Sequence, residues 1–394
     1  MKMLKSLPRV MILMLFITAC STHHPLELRV DANNYKQAKI GKTTTGIKSA
    51  EPYRFWGSEA PGFLYDPITN STPLKTSDEQ LNILVLSGGG ANGAYGAGII
   101  NGLYDNNKLP DYSIITGISA GSLIAPFTFL GGEQIANLKD TMLSINDDML
   151  LGKENFLNTL IKDAFTDGES LYGLIESTYT KEIIDQIALE HQKGRRLFIG
   201  TTQFDSGELM VWNIGRIAES DIENKYSLIH QILTASASIP GVFPPQFIRV
   251  NVNGEILEEL HVDGGMNSQM FFDPGNFNYS LVNDALAKKR PPQIHIIRNG
   301  MLKSAYEELE DKGLPLLTRS LNSLTVQQAR GDLFRMLYSS EINHYNLSFT
   351  YIDDKFNAPK STDQMFDPAF MQALYNSAYD KATSDKLWQK TLPY

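Results

Sequence analysis

The apolar positions of this chain fall into short runs cut by glycines, and residues 83–121 carry the strongest pattern. Residues 83–86 form a continuous apolar run, long enough for a buried strand. Ser87-Gly88-Gly89-Gly90 breaks it with residues that let backbone N–H groups turn outward. Tyr95, Ile99, Ile100, Leu103 and Tyr104 then recur at helical spacing, and 113–115 is a second apolar run that ends in Gly117-Ile118-Ser119-Ala120-Gly121. The order strand, glycine loop, helix, strand, sharp turn describes a βαβ unit. Its right-handed crossover brings both turns to one edge of a parallel sheet. A loop rich in N–H donors is thus predicted to face an exposed serine, with 122–130 forming a helix whose N-terminus points at Ser119.

Further along, 147–190 reads as mainly helical, with Leu157, Leu160, Ile161 and Phe165 as core positions. Residues 196–201 and 209–212 read as two strands joined through Asp205-Ser206-Gly207, a hairpin signal. A helix over 228–238 is stopped by Pro240, and Phe243-Pro244-Pro245 follows. Residues 256–262 make a strand that gives way to Asp263-Gly264-Gly265. Strands over 293–297 and 347–352 flank a long helical stretch over 316–338, and Asp367-Pro368 caps a last helix to about Lys381. Helices alternating with strands predict an α/β fold. Residues 277–394 are expected to pack on the same globule as 82–276. The region before it is polar and weakly periodic; its first half reads as a tether and 53–65 as a segment packed on the domain surface.

Lys2, Lys5 and Arg9 precede an apolar run over 10–17, then Thr18-Ala19-Cys20. A basic head, a short apolar segment and small residues make a secretory signal peptide. The run is far shorter than the ~20 residues a membrane-spanning helix needs. Ile17-Thr18-Ala19-Cys20 resembles the lipobox of bacterial lipoproteins, which implies lipidation of Cys20 after removal of 1–19, with 20–80 as tether and peripheral segment. Cys20 is the only cysteine, so an intramolecular disulfide is excluded. Hydrophobic residues at 42% allow a sizeable core. The net charge of −9 becomes −12 once Lys2, Lys5 and Arg9 are removed, which argues against nucleic acid as a partner. Membrane contact would then come from the anchor, since two lipid signals give stable attachment.

The Gly-x-Ser-x-Gly turn points to a nucleophile, because a serine on a tight strand-to-helix elbow stands clear of its neighbours only if those are small. Gly88, Gly90 and Gly93 also fit the dinucleotide fingerprint, but that pattern wants an acidic residue after the second strand, where this chain has Gly117-Ile118-Ser119. Asp263, at a strand end beside flexible backbone, can reach toward Ser119. It can equally open an ordinary turn. The seven histidines show no ligand spacing, so no metal and no cofactor are expected; His23-His24 falls in the tether.

Taken in order, Gly88-Gly89-Gly90-Ala91-Asn92-Gly93, Gly117-Ile118-Ser119-Ala120-Gly121 and Asp263-Gly264-Gly265 resemble the patatin-like phospholipase family. Gly200-Thr201-Thr202 and Ala235-Ser236-Ala237-Ser238-Ile239-Pro240 resemble it too. The resemblance covers about 82–276 and implies a three-layer α/β/α sandwich with a mainly parallel central sheet. It further implies a serine lipid acyl hydrolase of phospholipase A or lysophospholipase type. Ser119 would be the nucleophile, Asp263 the base, and Gly88, Gly89 and Gly90 the oxyanion donors. Many members carry Lys or Arg where this chain has Asn92, so a positive charge near the oxyanion is missing. A β-branched residue at Gly89 is expected to abolish activity with the fold nearly intact. Two other readings compete. One is an α/β-hydrolase with a Ser–His–Asp triad, in which His295 or His344 follows Asp263 in chain order. The other is a non-catalytic envelope lipoprotein that binds lipid.

Overall fold

The computed structural model describes residues 28–41, 51–151, 169–304, 306–359, 361–362, 364–384 and 386–393. Cys20, His23, His24 and the apolar positions Leu157, Leu160, Ile161 and Phe165 lie outside them.

Nine strands form one sheet: β1 (Arg54–Trp56), β2 (Asn82–Leu86), β3 (Ile114–Ile118), β4 (Arg196–Gln203), β5 (Glu208–Asn213), β6 (Gln246–Val252), β7 (Glu255–Asp263), β8 (Gln293–Arg298) and β9 (Asn346–Tyr351). The main path runs β1-β5-β4-β3-β2-β8-β9, and β7 joins β4 with β6 outside it. Strands β4, β3, β2, β8 and β9 are mutually parallel, whereas β5, β1, β7 and β6 are added antiparallel.

Alternation along β2 generates the layers. Ile83 and Val85 enter one apolar core, while Leu84 and Leu86 enter another, because successive side chains of a strand point to opposite faces. The Leu84 face is covered by α1 (Gly93–Asp105), α2 (Ala120–Leu130), α3 (Gln134–Ser144), α5 (Glu169–Thr178), α6 (Lys181–Gln192), α8 (Lys225–Ala237) and α11 (Pro368–Thr383). The Ile83 face is covered by α9 (Tyr279–Ala285), α10 (Gly313–Ile342) and the segment bearing Phe271 and Phe272. The result is a three-layer α/β/α sandwich around a mostly parallel sheet. Among the described residues there are also two short helices, α4 (Asp147–Leu151) and α7 (Ile214–Ala218). Among the described residues no helix is long and apolar enough to cross a membrane.

The structure differs from the sequence reading at two strands. The stretch read as surface packing supplies β1, which pairs antiparallel with β5 and buries Phe55 and Trp56. A three-residue strand is too short to show a period. The sequence reading also omits the strand before 256–262: β6 buries Ile248, Val250 and Val252 and turns Arg249 and Asn251 outward, a period-2 pattern that is present in the sequence.

From β2 the parallel sheet grows in both directions, to β3 and β4 on one side and β8 and β9 on the other. Ligand crevices in such sheets open beyond the carboxyl ends of the strands where the order reverses. Here that point is the glycine loop after β2.

Candidate active site

Register sets the geometry. Along one edge of β4, Gly200 pairs with Ile118 at the end of β3, and the next residue, Thr201, pairs with Asp263 at the end of β7. Strands β3 and β7 therefore meet head to head on a shared template. The residue after Ile118 is Ser119, and its Oγ donates a 2.6 Å hydrogen bond to Asp263 Oδ2. The two residues are 144 positions apart in sequence.

Ser119 sits at φ 53°, ψ −125°, a left-handed conformation that L-residues avoid. This is the strained elbow expected of a nucleophile, but the expected exposure is corrected: Ser119 is buried, 6% exposed, and meets the pocket and not open solvent. The strain is held from both sides. Ser119 N–H donates to Ser236 Oγ at 3.0 Å, and Ser236 in turn donates to the Gly200 carbonyl at 2.7 Å. The Ser119 carbonyl accepts from Ser122 N–H and Ser122 Oγ as α2 begins. At Gly121 a side chain would be impossible, since a Cβ would lie 2.3 Å from the Leu86 carbonyl oxygen. Gly117 precedes the elbow at the end of β3, Gly93 opens α1, and Gly264-Gly265 makes the turn after β7.

Asp263 is buried, and that burial pushes its carboxyl up to about 7, against the opposing pull of hydrogen bonds from Ser119 Oγ and Gly265 N–H. Its backbone is tied down as well: its N–H donates to Ser238 O at 2.9 Å and its carbonyl accepts from Thr202 Oγ1 at 2.9 Å. A carboxylate in this state accepts a proton near neutral pH, which an ordinary solvated aspartate does poorly.

The glycine loop lies against the serine. A Cβ on Gly88 would stand 3.2 Å from Ser119 Cβ, and Gly90 lines the same pocket as Ser119. One expectation is corrected here: Gly88 N–H is already committed to the Gln269 carbonyl at 3.1 Å. The unengaged donors are the N–H groups of Gly89 and Gly90, which have no acceptor among the described residues. Gly89 corrects a second one. Any Cβ there would lie 2.1 Å from the Asn299 carbonyl oxygen, so a β-branched replacement must displace backbone and cannot leave the fold intact.

A narrow pocket of about 30 Å³ opens beside Ser119. Its walls are almost wholly apolar, including Leu123, Met142, Ile145, Leu171, Phe243 and Phe366. Such a lining accepts a hydrocarbon chain and offers nothing to a charged group.

No histidine among the described residues contacts Ser119 or Asp263. His261 is bonded to Thr201 Oγ1 and to the buried Glu259. His295 lies mid-strand opposite Leu84, stacked on Trp388, with burial lowering it to about 4. His344 precedes β9, at the sheet edge opposite the site. Among the described residues no group of three or more His, Cys, Asp and Glu side chains could hold a metal.

Sequence reasoning missed the second tier of the site. Ser236 stood inside a motif without a role, although a serine on an otherwise apolar helix face is a signal. Arg298 and Gln269 were unassigned, yet an arginine that ends a buried apolar strand is a signal too.

Residues 84–274 match the family model described as patatin-like phospholipase. Two uncharacterized proteins of Acanthamoeba polyphaga mimivirus are similar: one is 26% identical over 205 residues, the other 20% over 251. Those matches take in 49% and 52% of this chain but 63% and 67% of the relatives, so it spans about two thirds of their length. Among solved structures, VipD from Legionella pneumophila covers 92% of this chain and 73% of its own, at 16% identity and a TM-score of 0.37. The type III effector ExoU covers 77% and 53%, at 13% identity and a TM-score of 0.34. Over residues 84–274 the chain therefore carries a patatin-like phospholipase domain.

Proposed function

We propose that the protein is a serine lipid acyl hydrolase that cleaves carboxylic esters of phospholipids or lysophospholipids through Ser119 and Asp263. The reading rests above all on the 2.6 Å hydrogen bond from a strained serine to a buried carboxylate of raised proton affinity, at the mouth of an apolar pocket. In the first half-reaction Asp263 takes the Ser119 proton as Oγ attacks the ester carbonyl. The negative oxygen of the tetrahedral intermediate is received by Gly89 and Gly90 N–H. Collapse breaks the ester C–O bond, and Asp263 returns the proton to the leaving alcohol. In the second half-reaction Asp263 deprotonates water, which attacks the acyl-serine; the C–Oγ bond breaks to release the fatty acid, and Asp263 returns the proton to Ser119 Oγ. The acyl chain starts into the Leu123, Met142 and Phe243 pocket, whose apolar walls must part to take its full length.

A fluorophosphonate probe and a panel of lipid esters test this. Wild type should label and release fatty acid, and Ser119→Ala should do neither. Undiminished release by Ser119→Ala sinks the proposal, and a wild type that binds lipid but hydrolyses none moves the chain to a binding role. The proposed route to substrate is attachment: Cys20 carries the lipid and tethers the chain to the outer membrane, facing the periplasm. Cys20→Ser should then leave an unprocessed or soluble form. Fractionation of that variant with membranes after a high-salt wash, as for wild type, counts against the anchor.

A further inference from the structure

The expected cation at position 92 is absent, but a different arginine reaches the glycine loop from behind. Register places it there: Leu86 pairs with Ile297, and Ser87 N–H donates to the Ile297 carbonyl, so Arg298 follows at the level of Ser87 and Gly88. Arg298 is buried. Its Nη1 donates to the Gly88 carbonyl at 2.9 Å, to Ser87 Oγ at 3.2 Å and to Gln269 Oε1 at 3.1 Å. All three acceptors are neutral. The carboxylate that most influences it, Asp332, is itself engaged by Gln269 N–H at 2.7 Å and by Arg335. Burial lowers the guanidinium to about 10, which leaves it charged at neutral pH. A buried cation without an ion-pair partner is costly unless its charge serves something.

What it serves follows from peptide planarity. The Gly88 carbonyl and the Gly89 N–H belong to one planar trans unit and point in opposite directions. A donor fixed on that carbonyl therefore aims the Gly89 N–H away from Arg298. A charged donor also polarises the unit, making its N–H a stronger hydrogen-bond donor. The second lone pair of the same carbonyl is taken by Ser87 Oγ at 2.8 Å, and the preceding peptide is held by Gly88 N–H on Gln269 O. The loop has no rotational freedom left at this unit.

We infer that Arg298 is the positioning residue of the oxyanion donor, holding and polarising the Gly88–Gly89 peptide so that its N–H meets charge developing on the ester oxygen. The inference deepens the hydrolase reading and rests on it. Arg298 contacts no substrate. It acts through the loop, and it replaces from β8 the charge that the loop itself lacks.

The test compares wild type, Arg298→Met and Arg298→Lys on a short-chain p-nitrophenyl ester and with a trifluoromethyl ketone, whose hemiketal with Ser119 Oγ carries an alkoxide that mimics the tetrahedral oxyanion. Loss of one oxyanion donor lowers kcat by about 10²-fold, so Arg298→Met should fall by that order with KM within about twofold. Ketone affinity should weaken in proportion. Arg298→Lys should recover roughly tenfold, since an ammonium restores a charged donor to the Gly88 carbonyl. Thermal unfolding of each variant accompanies the kinetics. If Arg298→Met does not fold, Arg298→Lys carries the test, with kcat reduced and KM unchanged. The inference fails if folded Arg298→Met keeps kcat within about threefold of wild type, or if lysine is no better than methionine. A loss confined to KM overturns it as well. Failure of wild type itself to turn over any ester, alongside Ser119→Ala, defeats the hydrolase reading and the inference with it.

Discussion

Replacing Asp263 with asparagine removes a charge while keeping the shape of the side chain, and both hydrogen bonds retain a partner. The amide oxygen can accept from Gly265 N–H and the amide nitrogen can donate to Ser119 Oγ. The wild-type carboxyl titrates near 7 in the fold against 3.8 as its ordinary value, because it is buried. The displacement is roughly three pH units, and at ~1.4 kcal/mol per unit it corresponds to about 4 kcal/mol of differential stability. The sign follows from proton binding. Between about pH 4 and pH 7 the folded state holds a proton that the unfolded chain has released, so wild-type stability falls as pH rises through that window. The asparagine amide does not titrate. Urea unfolding of both proteins from pH 4.5 to 8.5 should therefore show the variant gaining on wild type by several kcal/mol, with the gain levelling off above about pH 7. The same carboxyl should govern catalysis. Wild-type kcat/KM should drop as pH falls through about 7, not through 4, and the variant should be inactive at every pH. A stability difference that is flat with pH, or an acid limb near 4, would refute the claim that Asp263 is a buried base.

Other outcomes follow from the same geometry. Ser119→Ala combined with Asp263→Asn should cost little more activity than either alone, as for groups that act as one unit. His295→Gln and His344→Gln should keep most activity, and loss at either with the fold intact would favour a triad. Gly90 stands at φ +54° with open space around a would-be Cβ, so Gly90→Ala is the cleaner probe of the loop. It should cost about 1–2 kcal/mol in urea unfolding, the usual penalty of a left-handed alanine, and lower kcat at least tenfold. Unchanged turnover would remove that amide from the oxyanion site. Arg54 and Glu259 form a fully buried ion pair; burial alone would raise the Glu259 carboxyl, but the Arg54 charge and the His261 hydrogen bond hold it at about 2. Arg54→Met should strand that carboxylate and cost about 3–5 kcal/mol in urea unfolding. A loss below 1 kcal/mol would show that the pair is not insulated from water.

The parts of the site that local sequence determines were legible before the structure. A buried run followed by glycines, and a second run ending in small residues around Ser119, leave few conformations open, and the loop and elbow occupy the predicted places. Asp263 was legible only as a candidate. What settles its position is the register of β7 on β4, which sets Asp263 opposite Thr201 and which no local pattern encodes. Ser236, Gln269 and Arg298 were less visible still. Each acts through backbone atoms of another element, and hydrogen bonds to backbone leave no mark on the partner's residue type. Gly89 shows the converse: the glycine was read as freedom for an amide, whereas the space is denied by the Asn299 carbonyl, a residue from the far side of the chain.

The shared edge of β4 has a consequence for how such a chain can change. The Ser119–Asp263 spacing is fixed by one step of a single strand, so it is indifferent to the length of the turns threaded between the two residues. Insertions in the exposed turn at Gly131-Gly132 or in the tip of the β6–β7 hairpin could lengthen the chain without moving either side chain. Slippage is another matter. A one-residue shift of β7 against β4 turns every side chain on it to the opposite face, and Asp263 would point into the wrong layer. The protein is therefore tolerant of gain and loss in its excursions and intolerant of a single-residue deletion between Glu255 and Asp263. A deletion scan would draw that boundary residue by residue.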